Sequence, residues 1–213
     1  MLWILLAAQL SGLSSSHPTD IRGLFSYNDF PAYLSHTGEM SRTVYTRTTI
    51  RDDGTLQDCA VEISSGDPKL DAYTCALIVK RGKFVAGRAG DGTALYTVLR
   101  FPVNWTITSS ISSREEMLRP IIPDLELSVD RLPKGAKKLV DLTLENEVDD
   151  KGRIVACGEL PPFRADQRQR FPELVPLACQ NAVKTLSLRP PRDRNGAPTR
   201  SIQTTTVRFA IKR

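Results

Sequence analysis

The chain is poor in histidine: two in 213 residues, His17 and His36. A nucleophilic triad needs an imidazole base, and His36 sits in the polar stretch LSHTGE, which reads as a surface turn. The four cysteines include no CxxC spacing, which argues against a zinc site built from closely spaced ligand pairs. No run of Lys and Arg interleaved with aromatics occurs, so the net charge of +5 reads as a solvated basic surface and not as a nucleic-acid footprint. The 14 prolines are scattered and form no rod of polyproline type. The glycine-rich AGRAGDG (86–92) follows an expected helix instead of opening one, so it lacks the geometry of a phosphate cradle and reads as a turn. The acid pairs Asp52-Asp53 and Asp149-Asp150 stand at hairpin tips, where turn chemistry accounts for them. NWT (104–106) fits a glycosylation sequon by pattern alone. Together these point to a protein that is not an enzyme, with no catalytic residues, no metal and no cofactor.

What is present begins with MLWILLAAQLSGLSSSHPTD, apolar through Leu13 apart from Gln9 and Ser11, then small and polar. Such a run is too short for a bilayer span but suits an export signal over residues 1–16. No Lys or Arg precedes it, so either the signal is atypical or translation starts upstream of Met1. Export to an oxidising compartment makes an even number of cysteines a disulfide framework, and four cysteines allow three connectivities.

The spacing of landmarks repeats. Gly54 lies five residues before Cys59, as Gly152 lies five before Cys157. Pro68 and Pro172 each stand seven residues before a cysteine, and Phe84 and Leu188 each follow one by nine. Phe84 precedes Gly92 by eight, as Leu188 precedes Gly196. The halves close on RFPV (100–103) and RFAI (208–211). On this alignment the second half carries six extra residues between its cysteines and four extra before its last strand. The pattern is that of a degenerate tandem repeat.

Each half reads as strand, strand, helix, strand. Alternating runs around Asp52-Asp53-Gly54 predict a hairpin, with Cys59, Val61 and Ile63 on one face. Leu142, Leu144 and Val148, then Val155 and Cys157, predict its equivalent around Gly152. Asp67 is placed to cap a helix whose first position is Pro68, and Leu70, Tyr73 and Leu77 fall at helical spacing. Cys75 is then mid-helix, so a bond to Cys59 would staple helix to sheet. In the second half Pro176 predicts a helix that starts late or kinks. Leu95, Thr97, Leu99, Phe101 and Val103 alternate along a last strand, as do Val207, Phe209 and Ile211, and Pro102 predicts an edge or a strand end there. Residues 106–123 read as the joint.

DFPAYL (29–34), RTVYTRTTIRDDGTLQDCAVEISSGDPKLD (42–71), GKFVAGRAGDGT (82–93) and RFPVNW (100–105) resemble the carboxy-terminal domain of the TonB family, bacterial periplasmic proteins that couple inner-membrane energy to outer-membrane transporters. The likeness covers 29–105. Residues 124–213 follow by spacing, through DKGRIVACG, SLRPPRDRNGAP and VRFAI, without the SSG–LD signature. The resemblance implies an α+β fold of two tandem domains, 17–105 and 124–213, joined by 106–123, each a small antiparallel sheet with one packed helix. Each would hold its own cysteine pair, Cys59 with Cys75 and Cys157 with Cys179. It also implies a partner-binding edge on the last strand, at Leu95, Thr97, Leu99 and Phe101, with a counterpart over Ile202 to Phe209, that takes an extended peptide by main-chain bonds.

The function expected is that of a non-catalytic periplasmic binding or scaffold protein. Its partner would be an envelope protein or peptide, such as the amino-terminal segment of an outer-membrane transporter. No nucleic acid is expected, and membrane contact is peripheral at most unless the first segment stays uncleaved as a tether. Two alternatives are a TonB-type transducer whose anchor is missing from the gene model, and a periplasmic enzyme acting on peptidoglycan or thiols.

Overall fold

The computed structural model describes residues 21–35, 40–107, 122–136, 138–160 and 171–212. The fold class is α+β, as expected. The described residues fall into two compact units, 21–86 with 97–107, and 87–96 with 122–212. The apolar start and His36 lie outside the described residues. No helix among the described residues is long and apolar enough to cross a membrane.

In the amino-terminal unit, β1 (Met40–Ile50) and β2 (Leu56–Ile63) form the expected hairpin. Its tip needs a positive φ, which Gly54 supplies at +83°. A Cβ there would also stand 2.6 Å from the Phe84 carbonyl oxygen, so chain direction and space both demand glycine. β2 alternates half-buried and exposed residues, with Cys59 and Val61 inward. The helix α2 (Pro68–Arg81) packs on that face through Leu70, Leu77 and Ile78. It starts where Asp67 was expected to cap it, and Asp67 Oδ1 accepts from the backbone N–H of Lys69 at 3.0 Å and of Leu70 at 3.3 Å. The last strand, β4 (Ala94–Ile107), runs antiparallel to β1 from Ile50↔Thr97 to Met40↔Ile107.

Pro102 does not end this strand. It lies opposite Tyr45 inside the ladder, and β4 continues to Ile107. An antiparallel ladder leaves alternate residues without a bond to a given neighbour, so a proline can sit inside it. Ahead of β1, the short helix α1 (Ile21–Leu24) and two 3-10 turns, Tyr27–Asp29 and Ala32–Leu34, bring Leu24, Phe25, Phe30 and Leu34 onto the same core.

In the carboxy-terminal unit, β3 (Gly87–Arg88) pairs with the start of β4, and Ala89 and Leu95 pack with Ile202. The strand β5 (Leu125–Val129) falls at the start of the expected second domain, 124–213, where no strand was expected. β6 (Leu139–Val148) and β7 (Ile154–Glu159) form the second hairpin about Gly152, with φ +86°. A Cβ on Gly152 would collide with the Leu188 carbonyl oxygen, just as one on Gly54 would meet that of Phe84. A 3-10 turn, Pro172–Leu174, precedes α3 (Val175–Thr185), so the second helix does start late, with Pro176 in its first turn. β8 (Ser201–Ile211) closes the unit and runs antiparallel to β6.

The registers correct one detail of the sequence alignment. Thr48 stands opposite Cys59 on one side and Leu99 on the other, and Asn146 stands opposite Cys157 and Gln203. Leu99 therefore corresponds to Gln203, at the same separation as Cys75 and Cys179. The six-residue insertion between the cysteines stands, and the four-residue one before the last strand does not. Trp105, not Phe101, occupies the place of Phe209. A four-residue slip leaves every side chain on the same face of a strand, so alternation alone cannot reveal it.

Candidate functional site

The cysteines form two bridges, one within each unit. Cys59 of β2 bonds Cys75 of α2 with Cα atoms 5.6 Å apart, and Cys157 of β7 bonds Cys179 of α3 at 5.7 Å. Both distances lie in the ordinary range for an unforced bridge. Each bond ties the outer strand of a hairpin to the middle of the helix above it. All four sulfurs are consumed, so the chain in this state offers no thiol nucleophile.

The expected partner-binding residues are found in β4. Leu95, Thr97 and Leu99 are buried and Phe101 is half-buried; Leu99 and Phe101 pack in the first unit's core, and Leu95 packs with Ala89 and Ile202 in the second. Over residues 97–107 one side of this strand is taken by β1.

The counterpart in β8 is built differently from the expectation. β6 pairs with Ser201–Ala210 on one side, and β5 pairs in parallel on the other, from Leu125↔Val207 to Val129↔Ile211. The stretch Val207–Phe209 therefore has both sides filled, and it is no open edge. Asp124 fixes the entry of the added strand: its backbone N–H donates to the Thr206 carbonyl at 2.8 Å, and its Oδ2 accepts from the Thr206 N–H at 2.8 Å. At the far end the Lys212 N–H donates to the Val129 carbonyl at 3.0 Å, and Lys212 Nζ meets Asp130 at 3.0 Å. Leu125, Leu127 and Val129 pack on the core of Val207 and Phe209, while Glu126 and Ser128 point to solvent. Arg208, on the outward face, is bonded by Asp141 through Nε at 2.7 Å and Nη2 at 2.8 Å.

Sequence reasoning also missed a clamp in the first unit. Asp29, buried in the turn before β1, takes both arms of the Arg81 guanidinium from the last turn of α2, one at 2.8 Å. These hydrogen bonds hold the Asp29 carboxyl far below the usual carboxylate range, against burial, with bonds from Ser26 adding to them. At the other end of α2, Tyr33 Oη donates to the capping Asp67 at 2.9 Å. Burial opposes the charge on Asp67, yet bonds from Tyr33, Leu70 and Lys69 keep its pKa low. Between the two anchors Trp105 is sealed in: Phe25 and Phe30 meet it edge-on at 6.0 and 6.1 Å, and its Nε1 donates to Thr74 Oγ1 at 3.0 Å.

The remaining candidates have structural roles. Asp53 Oδ1 accepts from the Thr55 N–H, and Asp149 Oδ1 from the N–H groups of Lys151 and Arg153, so both acids hold hairpin tips. The glycine-rich stretch is a turn, closed by Gly92 N–H on the Ala89 carbonyl. Asn104 of the sequon-like triplet is exposed on β4 and accepts from Thr43 Oγ1 at 2.8 Å. Among the described residues no cluster of His, Cys, Asp and Glu fits a metal ion. Comparison with protein-family models, curated proteins and solved structures finds no match to this chain. The TonB likeness therefore rests on the sequence motifs alone.

Proposed function

We propose that this chain is an exported, non-catalytic binding protein of the bacterial periplasm, built from two TonB carboxy-terminal-like units. Its ligand is an extended segment of an envelope protein, such as the amino-terminal stretch of an outer-membrane transporter. The observation that carries the reading is the strand β5 laid in parallel against the last strand of the second unit. That is the kind of contact the resemblance implies, in which an extended segment adds to a sheet and main-chain bonds supply the affinity. Support for duplication comes from the matching ladders. Both hairpins shift register at the same place, between Thr49 and Ile50 and between Glu147 and Val148. Both bridges join the same elements. Support for export comes from those bridges, since thiols stay reduced in a bacterial cytosol.

The test is site-specific photocrosslinking in an intact Gram-negative envelope, with the photoreactive residue at Asn104 of β4 or Ser128 of β5. Recovery of transporter amino-terminal segments supports the proposal. Adducts distributed by envelope abundance, at these positions and at a remote control such as Lys80, contradict it.

A further inference from the structure

We infer that the Thr206–Ile211 edge of β8 is a strand-accepting site filled by the chain's own residues 124–129, which act as an internal stand-in for the ligand. This rests on the binding role proposed above and adds to it the pattern of the peptide that fits. The site reads an acid followed by aliphatic residues at alternate positions, running parallel to β8.

Three features single out β5 as an added strand. Among the described residues it pairs in parallel with β8, whereas β6 pairs antiparallel with both β7 and β8. It has five residues, where β6 has ten and β8 eleven. Its inward side chains, Leu125, Leu127 and Val129, are only half-buried, while Val207 and Phe209 beneath them are fully buried. Val207 and Phe209 thus lie inside the core, and β5 covers its rim.

The register states what the site selects. The acid at the start takes the Thr206 N–H on its carboxylate, so a serine or lysine there loses a charge-assisted bond. Aliphatic residues at the first, third and fifth positions meet the rim of Val207 and Phe209. The second and fourth face water, where Glu126 comes only within 4.0 Å of Arg208, so they are weakly read. A tethered strand competes at a high effective concentration, so a free peptide gains access only when the tethered one is weakened.

The experiment uses the full oxidised chain and the fluorescently labelled synthetic peptide DLELSVD, the sequence of residues 124–130. Anisotropy titrations compare the native chain with Leu125→Gly/Leu127→Gly. The expected result is binding at least tenfold tighter to the variant than to the native chain, and no binding of a permuted peptide whose three apolar residues are consecutive. Equal binding to both proteins, or none to a variant that keeps its sheet circular dichroism, overturns the inference.

Amide hydrogen exchange on the native chain decides the case if the variant does not fold. The bonds joining β5 to β8 are expected to open at least tenfold more often than those joining β6 to β8. Equal protection makes β5 an integral strand and overturns the inference. Failure of the crosslinking experiment with successful peptide exchange removes the transporter as partner and leaves the site. Transporter adducts at Asn104, with no exchange of DLELSVD, remove this inference alone.

Discussion

Removing one bridge at a time gives two losses whose sizes follow from the structure. Cys59 and Cys75 are 16 residues apart, and Cys157 and Cys179 are 22 apart. In the chain-entropy model, loops of those lengths cost the unfolded chain about 3.1 and about 3.4 kcal/mol respectively. Cys59→Ala/Cys75→Ala and Cys157→Ala/Cys179→Ala should therefore destabilise by nearly equal amounts, a few tenths of a kcal/mol apart. Each loss is a large share of the roughly 5–15 kcal/mol that holds a typical domain folded. Urea unfolding of the oxidised proteins measures it. Trp105 fluorescence reports the amino-terminal unit, where the indole is sealed by Phe25 and Phe30, and far-ultraviolet circular dichroism reports the whole chain. The midpoint should fall and the urea slope should rise modestly, because the unbridged unfolded chain is less compact and exposes more surface. A loss under about 1 kcal/mol for either pair would refute the view that the bridges act by closing these loops.

Three further outcomes follow from particular residues. Gly54→Ala and Gly152→Ala should each destabilise by about 1–3 kcal/mol in urea, since each forces a side chain into a positive φ and against a carbonyl oxygen. A neutral effect at both would mean that the hairpin tips are placed wrongly. Trp105→Phe trims the buried ring and removes the indole donor to Thr74 Oγ1, which keeps its own bond to the Leu70 carbonyl, at a cost of about 1–3 kcal/mol on thermal or urea unfolding. With acid, the native stability should be flat near neutrality and fall as pH drops below about 4. The carboxyl of Asp29 has its folded pKa depressed, so its contribution is complete above the unfolded value and is lost on descent toward the folded one. Asp29→Asn should flatten that acid limb in a pH series of melting temperatures, and an unchanged limb would remove the Asp29–Arg81 clamp from the account.

The parts of the fold legible in the sequence are those enforced by residues with few conformational options. Gly54 and Gly152 have the only side chain their turns admit, and Asp67 with Pro68 marks a helix start by bonding rules that operate within three residues. Cysteine positions on a strand and a helix of alternating and helical period made the bridges readable for the same reason. What depended on strand register was not legible. The match of Arg-Phe at 100–101 with Arg-Phe at 208–209 pairs residues that stand four places apart in the two ladders, and period-two alternation is blind to such a shift. Pro102 reads as a boundary because the direction of its nitrogen within the ladder is not encoded by its neighbours. The strand β5 had a visible signal, Leu125, Leu127 and Val129 in alternation, but five residues of alternation beside a presumed linker do not reveal a partner strand 82 residues away. The Asp29–Arg81 clamp was hidden for the same reason, being a contact between segments 52 residues apart.

Both the duplication and the compartment can be tested on one sample. Cells are lysed in an alkylating reagent that traps any free thiol, and the purified chain is digested without reduction for mass spectrometry. The account predicts two linked peptide pairs, Cys59 with Cys75 and Cys157 with Cys179, and no alkylated cysteine. A link between Cys59 and Cys157 or Cys179, or four alkylated thiols on the full-length chain, would contradict it.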